Sequence, residues 1–161
     1  MKILIFSDSH SSMRFMRQCV EKIKPQAIVH LGDYYDDGEA LGELYPNIQL
    51  HQVPGNCDKY RAPIHAREIL VMTIGGVRFY MTHGHIHKVK MVLSLLMRDA
   101  RAAQADIALF GHTHQAYCQQ EEDGLWVLNP GSCGYYGGSA GLIVIENEKI
   151  SSCRNIGQED L

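Results

Sequence analysis

Seven side chains in this sequence, each a few residues after an apolar run, are of the right type and placement to hold metal ions. Asp8 and His10 stand in SDSH, Asp33 in GDYYDD, Asn56 in GNCD, His83 in THGHIH, and His112 and His114 in GHTH. Together they offer two carboxylates, four imidazoles and one amide oxygen. Such a mixed nitrogen and oxygen set suits Mn2+, Fe2+, Zn2+ or Ni2+ better than Ca2+ or Mg2+, and it lacks the thiolates of a structural zinc site. Seven donors are too many for one tetrahedral ion and suit two ions that share a bridging carboxylate. Two ions roughly 3.5–4 Å apart polarise a phosphoryl oxygen and lower the pKa of a water between them, so the matching chemistry is metal-assisted phosphoester hydrolysis.

What must position these donors is a series of buried strands. KILIFS and AIVHL are short, nearly continuous apolar runs of the kind found in buried strands, and NIQLHQV reads as a third. Between the first two, Ser11 and Ser12 offer helix N-caps, Met13, Met16, Val20 and Ile23 recur at helical spacing, and Pro25 ends the helix. A short helix is expected around 38–44. This β-α-β-α-β rhythm predicts a mostly parallel sheet with helices packed on it. Each strand is followed at once by one of the polar clusters, and loops at the carboxyl ends of such strands gather in one crevice. Taken singly, each cluster is ordinary turn chemistry; their repetition after successive strands is what points to one site.

The later chain adds a hairpin, EILVMTIGGVRFYMTHG, turning at Gly75-Gly76. HKVKMVLSLLMRDARAA predicts a helix with Val89, Val92, Leu93, Leu96, Met97 and Ala100 on one face. DIALFG is another buried strand, and QAYCQQ, GLWVLN, AGLIVIE and KISSCRNI read as short strands, with Trp126 a packing residue. About ten strands make two sheets plausible within one α/β domain spanning 1–161.

Composition narrows the setting. The chain has 161 residues, 45% apolar and 20% charged, as expected for a globular domain able to build its own core. A formal net charge of −3 gives no general attraction to nucleic acid or anionic membrane. The apolar run at the N-terminus is too short for a signal peptide or a membrane span. Five cysteines, odd in number and without a Cys-x-x-Cys pair, argue against a disulfide framework and for a reducing cytoplasm.

In order, Asp8-x-His10, Gly32-Asp33-x-x-Asp36, Gly55-Asn56-Cys57-Asp58, His83-Gly84-His85 and Gly111-His112-x-His114 resemble the calcineurin-like metallophosphoesterase family. The short length, THGH, GHTH and the later NPGS (129–132) are similar to its small single-domain YfcE/MJ0936-type phosphodiesterases. The resemblance implies a four-layer α-β-β-α sandwich of two mixed sheets flanked by helices. It implies two divalent ions, Mn2+ first with Ni2+, Zn2+ or Fe2+ as alternatives. Asp8, His10, Asp33 and His114 would hold one ion, and Asp33, Asn56, His83 and His112 the other. Hydroxide between them would attack phosphorus in line, with no covalent enzyme intermediate, on a small phosphodiester; the sequence leaves the oligomeric state open, a homo-oligomer included.

One departure concerns Cys57, which stands where many family members have a histidine that contacts the phosphate and protonates the leaving oxygen. A thiol is a weak donor, so leaving groups of low pKa, such as aryl esters, are expected. Cys57 as a small buried side chain is the plainer alternative. His85 is read either as sharing the proton-donor role or as structural. Asp36 and Asp58 are expected to orient ligands or loops, or else to be exposed turn carboxylates. His30 reads as a packed strand residue, His51 and His65 as surface or structural, and His87 as lying at a helix start where an anion could approach. Tyr34, Tyr35, Tyr135 and Tyr136 are candidate cleft walls or half-buried aromatics. Two other functions compete: a non-catalytic scaffold like the retromer subunit of this fold, which departs from the full donor set, and a nuclease or cyclic-nucleotide phosphodiesterase.

Overall fold

When consecutive strand residues are all apolar, both faces of the strand must be covered. In the computed structural model, which describes residues 1–135 and 137–161, that requirement is met by two stacked sheets with helices outside them. Strand β1 (Lys2–Phe6) sends Ile3 and Ile5 inward between the sheets and Leu4 and Phe6 outward beneath helices α1 (Met13–Ile23) and α2 (Tyr35–Leu44). Of the four tyrosines considered for the cleft, Tyr136 lies outside the described residues.

The first sheet has the order β10-β9-β1-β2-β3, where β2 is Ala27–His30, β3 Gln49–Gln52, β9 Ser139–Glu146 and β10 Lys149–Gly157. Strands β1, β2 and β3 run parallel, with Ile3 opposite Ala27 and Ala27 opposite Gln49, while β9 and β10 are antiparallel additions. The second sheet has the order β4-β5-β6-β8-β7, from β4 (Ile69–Ile74), β5 (Val77–Thr82), β6 (Ile107–Leu109), β7 (Ala116–Gln120) and β8 (Trp126–Pro130). Here β5, β6 and β8 are parallel, and the β4–β5 hairpin turns at Gly75-Gly76 as expected. Both sheets are mixed, so the expected parallel sheet is the centre of a larger arrangement.

The central core joins Ile3, Ile5, Val29 and Leu31 of the first sheet to Phe79, Met81, Ile107 and Leu109 of the second. On the second sheet's outer face, Tyr80, Ala108 and Phe110 meet Leu96 and Ala100 of helix α3 (Ser94–Ala102). The layers are therefore α-β-β-α. Trp126 is partly buried against the central core.

Three local expectations need correction. Helix α2 starts at Tyr35 rather than near 38, which puts Asp36 and Asp37 in a first turn whose dipole favours carboxylates. Ser12 occupies the N-cap position of α1 but makes no side-chain capping bond. The helix expected over 87–103 begins only at Ser94. Before it, His85–His87 form one 3-10 turn and Lys88 takes a left-handed conformation, φ 54°, which ends that turn. Val89 packs on Gly84, while Val92 is half exposed instead of joining the helix's apolar face.

Candidate metal centre

The donors sit one to five residues beyond the strands that carry them. Asp8 and His10 follow β1, Asp33 follows β2, Asn56 follows β3, His83 follows β5, and His112 and His114 follow β6. The structure brings all seven together. One group is Asp8, His10 and His114, and another is Asp8, Asp33 and His83; in each, the ligand atoms lie within 4.8 Å of one another. His114 Nε2 is 3.1 Å from Asp8 Oδ1, and His83 Nε2 is 3.5 Å from Asp33 Oδ2. Asn56 Oδ1 stands 3.1 Å from His83 Nε2, and the His112 ring lies edge-on to His83 with centroids 5.1 Å apart.

Two observations show that these residues fit metal ions. His10 Nε2 is buried with no hydrogen-bond partner among the described residues, and buried Asp8 Oδ1 makes no well-aligned hydrogen bond, only the 3.1 Å approach of His114 Nε2, a costly arrangement unless another partner takes their lone pairs. The backbone is also strained here: Asp8, His10, Asp33, His112 and His114 all have positive φ, between 46° and 67°. Left-handed backbone at non-glycine residues costs free energy and concentrates at functional sites, and here it aims side chains from tight loops toward one point. His83 Nδ1 lies 2.8 Å from the Leu31 carbonyl, which orients the ring and leaves Nε2 facing the cluster.

Several groups hold this geometry. Asp58, fully buried, accepts backbone N–H bonds from Asp33 (2.8 Å), Tyr34 (2.8 Å), Tyr35 (2.9 Å) and Gly55 (2.7 Å). It thus ties the Asp33 loop to the Asn56 loop and is not an exposed turn carboxylate. Gly55 is required where it stands, because a Cβ there would run into the Asp33 carboxylate; one on Gly111 would meet Ser7 Oγ.

Sequence reasoning missed four further supports. Asp37 accepts from Ser9 Oγ (2.7 Å) and the Ser11 N–H (2.8 Å), and Ser7 Oγ donates to Asp8 Oδ2 (2.6 Å). Ser132 Oγ donates to the Asp8 carbonyl (2.7 Å), and Asn129 Nδ2 donates to the Gly111 carbonyl (2.9 Å). The NPGS string that holds Asn129 and Ser132 was the available signal for the latter two.

The electrostatics follow from this packing. Burial opposes ionisation of Asp33, but the His83 contact and the Cys57 N–H, 2.8 Å from Asp33 Oδ1, outweigh it and hold the carboxyl well below the usual range. Burial likewise opposes charge on His83, yet Asp33 and Asp8 raise its pKa above the ordinary histidine value. His112 is lowered to about 4, by burial and then by His83, which favours a neutral, ligating imidazole.

The remaining candidates divide. Cys57 is exposed at the rim, its Sγ 3.4 Å from Asn56 Nδ2; desolvation and then the Asp33 charge push its thiol up to about 11. It is not a small buried side chain. His85 is half-buried, its ring 5.5 Å from His83 and its Nε2 3.4 Å from Glu68, with its pKa lowered by burial. Asp36 is exposed and pairs with Arg61 at 2.7 Å, so it fastens loops rather than ligands. His30 is buried within β2, bonded to Ser9 Oγ at 3.2 Å, as a packed strand residue should be. His87 is buried, its Nε2 3.0 Å from Tyr80 Oη and 3.4 Å from Asp99 Oδ2, so its partners are the chain's own side chains. His51 is half-buried on β3 and His65 is exposed.

Two of the tyrosines border the first group of donors. Tyr34 lies edge-on to His10 at 5.1 Å, and Tyr135 stacks on His114 at 5.4 Å; Tyr35 is buried instead. Beside Asn56 and His85 opens a cleft of about 690 Å3, walled by Lys59, Pro63 and Ile64. No helix among the described residues is long and apolar enough to cross a membrane.

Comparison with known proteins places this geometry among relatives. Residues 1–149 match the family model described as the calcineurin-like phosphoesterase superfamily domain. The probable metallophosphoesterase YsnB of Bacillus subtilis is 30% identical over 82% of this chain and 75% of its own length. The phosphodiesterase MJ0936 of Methanocaldococcus jannaschii is 26% identical over 92% and 95%. Among solved structures, Vps29 of Entamoeba histolytica, complexed with Zn2+, superposes with a TM-score of 0.69 at 20% identity, covering 98% of this chain and 99% of that one.

Proposed function

The chain belongs to the calcineurin-like phosphoesterase superfamily, and from that premise we propose that it hydrolyses small phosphodiesters with the help of two divalent metal ions. The observation that carries this reading is the convergence of seven nitrogen and oxygen donors from five strand ends, with His10 Nε2 buried and without a hydrogen-bond partner among the described residues. Asp8, His10, Asp33 and His114 would hold one ion; Asp33, Asn56, His83 and His112 would hold the other. Bound there, two divalent ions supply Lewis acidity to the phosphoryl oxygens and lower the pKa of water toward neutrality for in-line attack. Mn2+ comes first on the family resemblance, and the mixed nitrogen and oxygen set accommodates Ni2+, Zn2+ and Fe2+ as well.

The chain's own residues set what can be hydrolysed. Asp33, which would bridge the two ions, sits in a loop that Asp58 pins to the Asn56 loop, so the charge of the site is fixed before substrate arrives. Cys57 stands at the rim beside Asn56, where a strong proton donor would serve a poor leaving group. Its S–H is a weak donor, and His85 is turned toward Glu68. Leaving groups that depart without a proton, such as aryl oxides, are therefore favoured. The cleft beyond Asn56 gives room for the second ester arm of a diester, with Lys59 supplying positive charge and Pro63 and Ile64 an apolar wall. A non-catalytic scaffold of the same fold is the competing reading; metal binding alone does not separate the two, since Vps29 of Entamoeba histolytica shares the fold and is complexed with Zn2+, and turnover does. Cytoplasm is the compartment that suits the free cysteines.

The test is hydrolysis of bis(p-nitrophenyl) phosphate and p-nitrophenyl phosphate by metal-free protein and after adding Mn2+, Ni2+ or Zn2+. The reading expects metal-dependent turnover with the diester ahead. Absence of turnover of both esters, with bound metal verified, would overturn it.

A further inference from the structure

Strands β7 and β10 are the terminal strands of their respective sheets and lie on the same flank of the sandwich. There Cys118 of β7 and Cys153 of β10 face each other across the gap, Sγ to Sγ 3.4 Å. Both are half-buried free thiols, and both pack against the central core. The other three cysteines are placed differently: Cys19 and Cys133 are buried, Cys133 donating to the Ser7 carbonyl, and Cys57 stands alone at the rim of the metal centre. The strands are already bridged beside the pair. With its amide oriented to satisfy both neighbours, Asn155 of β10 donates to the Asn129 carbonyl at 3.1 Å and accepts from the Tyr117 N–H at 3.0 Å.

We propose that Cys118 and Cys153 form a peroxide-oxidisable pair that closes to a disulfide joining the edge strands of the two sheets. A disulfide needs the sulfurs about 2.05 Å apart, so they must approach by roughly 1.4 Å. The strands can give this. The ladder between β10 and β9 shifts register between Ile150 and Ser152, immediately before Cys153, and β7 is paired on one side only.

The chemistry balances with hydrogen peroxide as the oxidant. The Cys118 thiolate attacks a peroxide oxygen, the O–O bond breaks, and hydroxide leaves to take up the thiol's proton as water. The sulfenic acid so formed is attacked by the Cys153 sulfur; the S–S bond forms, the S–O bond breaks, and a second water leaves with the Cys153 proton. Two thiols and one peroxide give one disulfide and two waters. The two thiols share one S–H···S contact, and the balance is the same with the roles of the two sulfurs exchanged. The bond would fasten β7, the strand that starts two residues after His114, to the opposite sheet. It is independent of the proposed hydrolysis.

The experiment exposes the folded chain to excess hydrogen peroxide, alkylates remaining thiols after denaturation, and maps peptides by mass spectrometry. The expected result is loss of two hydrogens, a linked pair of peptides containing Cys118 and Cys153, and reversal by a phosphine reductant. The oxidised protein should also melt about 5–10 °C higher, because the bond restricts the unfolded chain. Cys118→Ser and Cys153→Ser, each first checked for a native melt, should abolish the linked pair. Recovery of Cys118 and Cys153 as alkylated thiols, their conversion to sulfinic acids, or cross-linking only through Cys57 would overturn the proposal. So would a linked pair with no rise in melting temperature, because the bond would then form outside the native fold.

Discussion

The backbone N–H of Asp33 donates to the buried Asp58 carboxylate at 2.8 Å, and the same carboxylate receives the N–H groups of Tyr34, Tyr35 and Gly55. Asp33, the residue proposed to bridge the two ions, is thus held through its backbone by a buried acidic group that makes four charge-assisted bonds. Asp58 is not itself among the donors; it sets where the donors of two loops stand.

Asp58→Asn tests that positioning. The new amide group would face N–H donors with N–H of its own, leaving buried donors unpaired. The variant should lose about 2–4 kcal/mol of stability in denaturant melts. It should also bind Mn2+ roughly tenfold more weakly or worse, as other disrupted ligand supports do. A variant that is destabilised but titrates metal like the parent would show Asp58 to be a fold residue only.

Cys57→His tests the account of substrate preference. An imidazolium at the rim supplies the proton donor that a thiol does not, so hydrolysis of alkyl esters should rise about tenfold or more relative to p-nitrophenyl esters. The ratio of kcat/KM for the alkyl and p-nitrophenyl esters reads this directly. An unchanged ratio would remove Cys57 from the explanation.

His30 gives a pH prediction. Desolvation inside β2 lowers its pKa from 6.5 to about 4. The folded state therefore binds this proton less readily than the unfolded state does. The stabilising contribution is complete above the unfolded value of 6.5 and is lost progressively as pH falls from 6.5 toward 4. Its size is about 3 kcal/mol. Urea melts across that range should show the loss in the parent, and His30→Gln, which keeps a donor for Ser9 Oγ, should flatten it. A parallel pH dependence in both proteins would contradict the assignment.

How much of this was legible beforehand follows from what kind of information each residue carries. Ile3 to Phe6 specified a strand covered on both faces, because burial on alternate faces needs no knowledge of distant residues. The donors were legible because each stands a few residues beyond a strand end. The left-handed backbone at Asp8, His10, Asp33, His112 and His114 was not, since aspartate and histidine carry no mark of an αL conformation as glycine does. Val92 misled for a related reason: its spacing was helical, but tertiary packing of His87 against Tyr80 and of Val89 on Gly84 turned the chain before Ser94. Asp37 and Ser7 were invisible as supports because their partners come from contacts that only the closed loops create.

The central claim is that one shared carboxylate organises two ions, and metal stoichiometry tests it most directly. Protein reconstituted with Mn2+, freed of excess ion and assayed by elemental analysis should carry two ions per chain. His114→Ala should retain one, and Asp33→Asn, which weakens the proposed bridging ligand, should retain fewer than one while still folding. Two ions retained by Asp33→Asn, or one or none bound by the parent chain at saturation, would contradict the account.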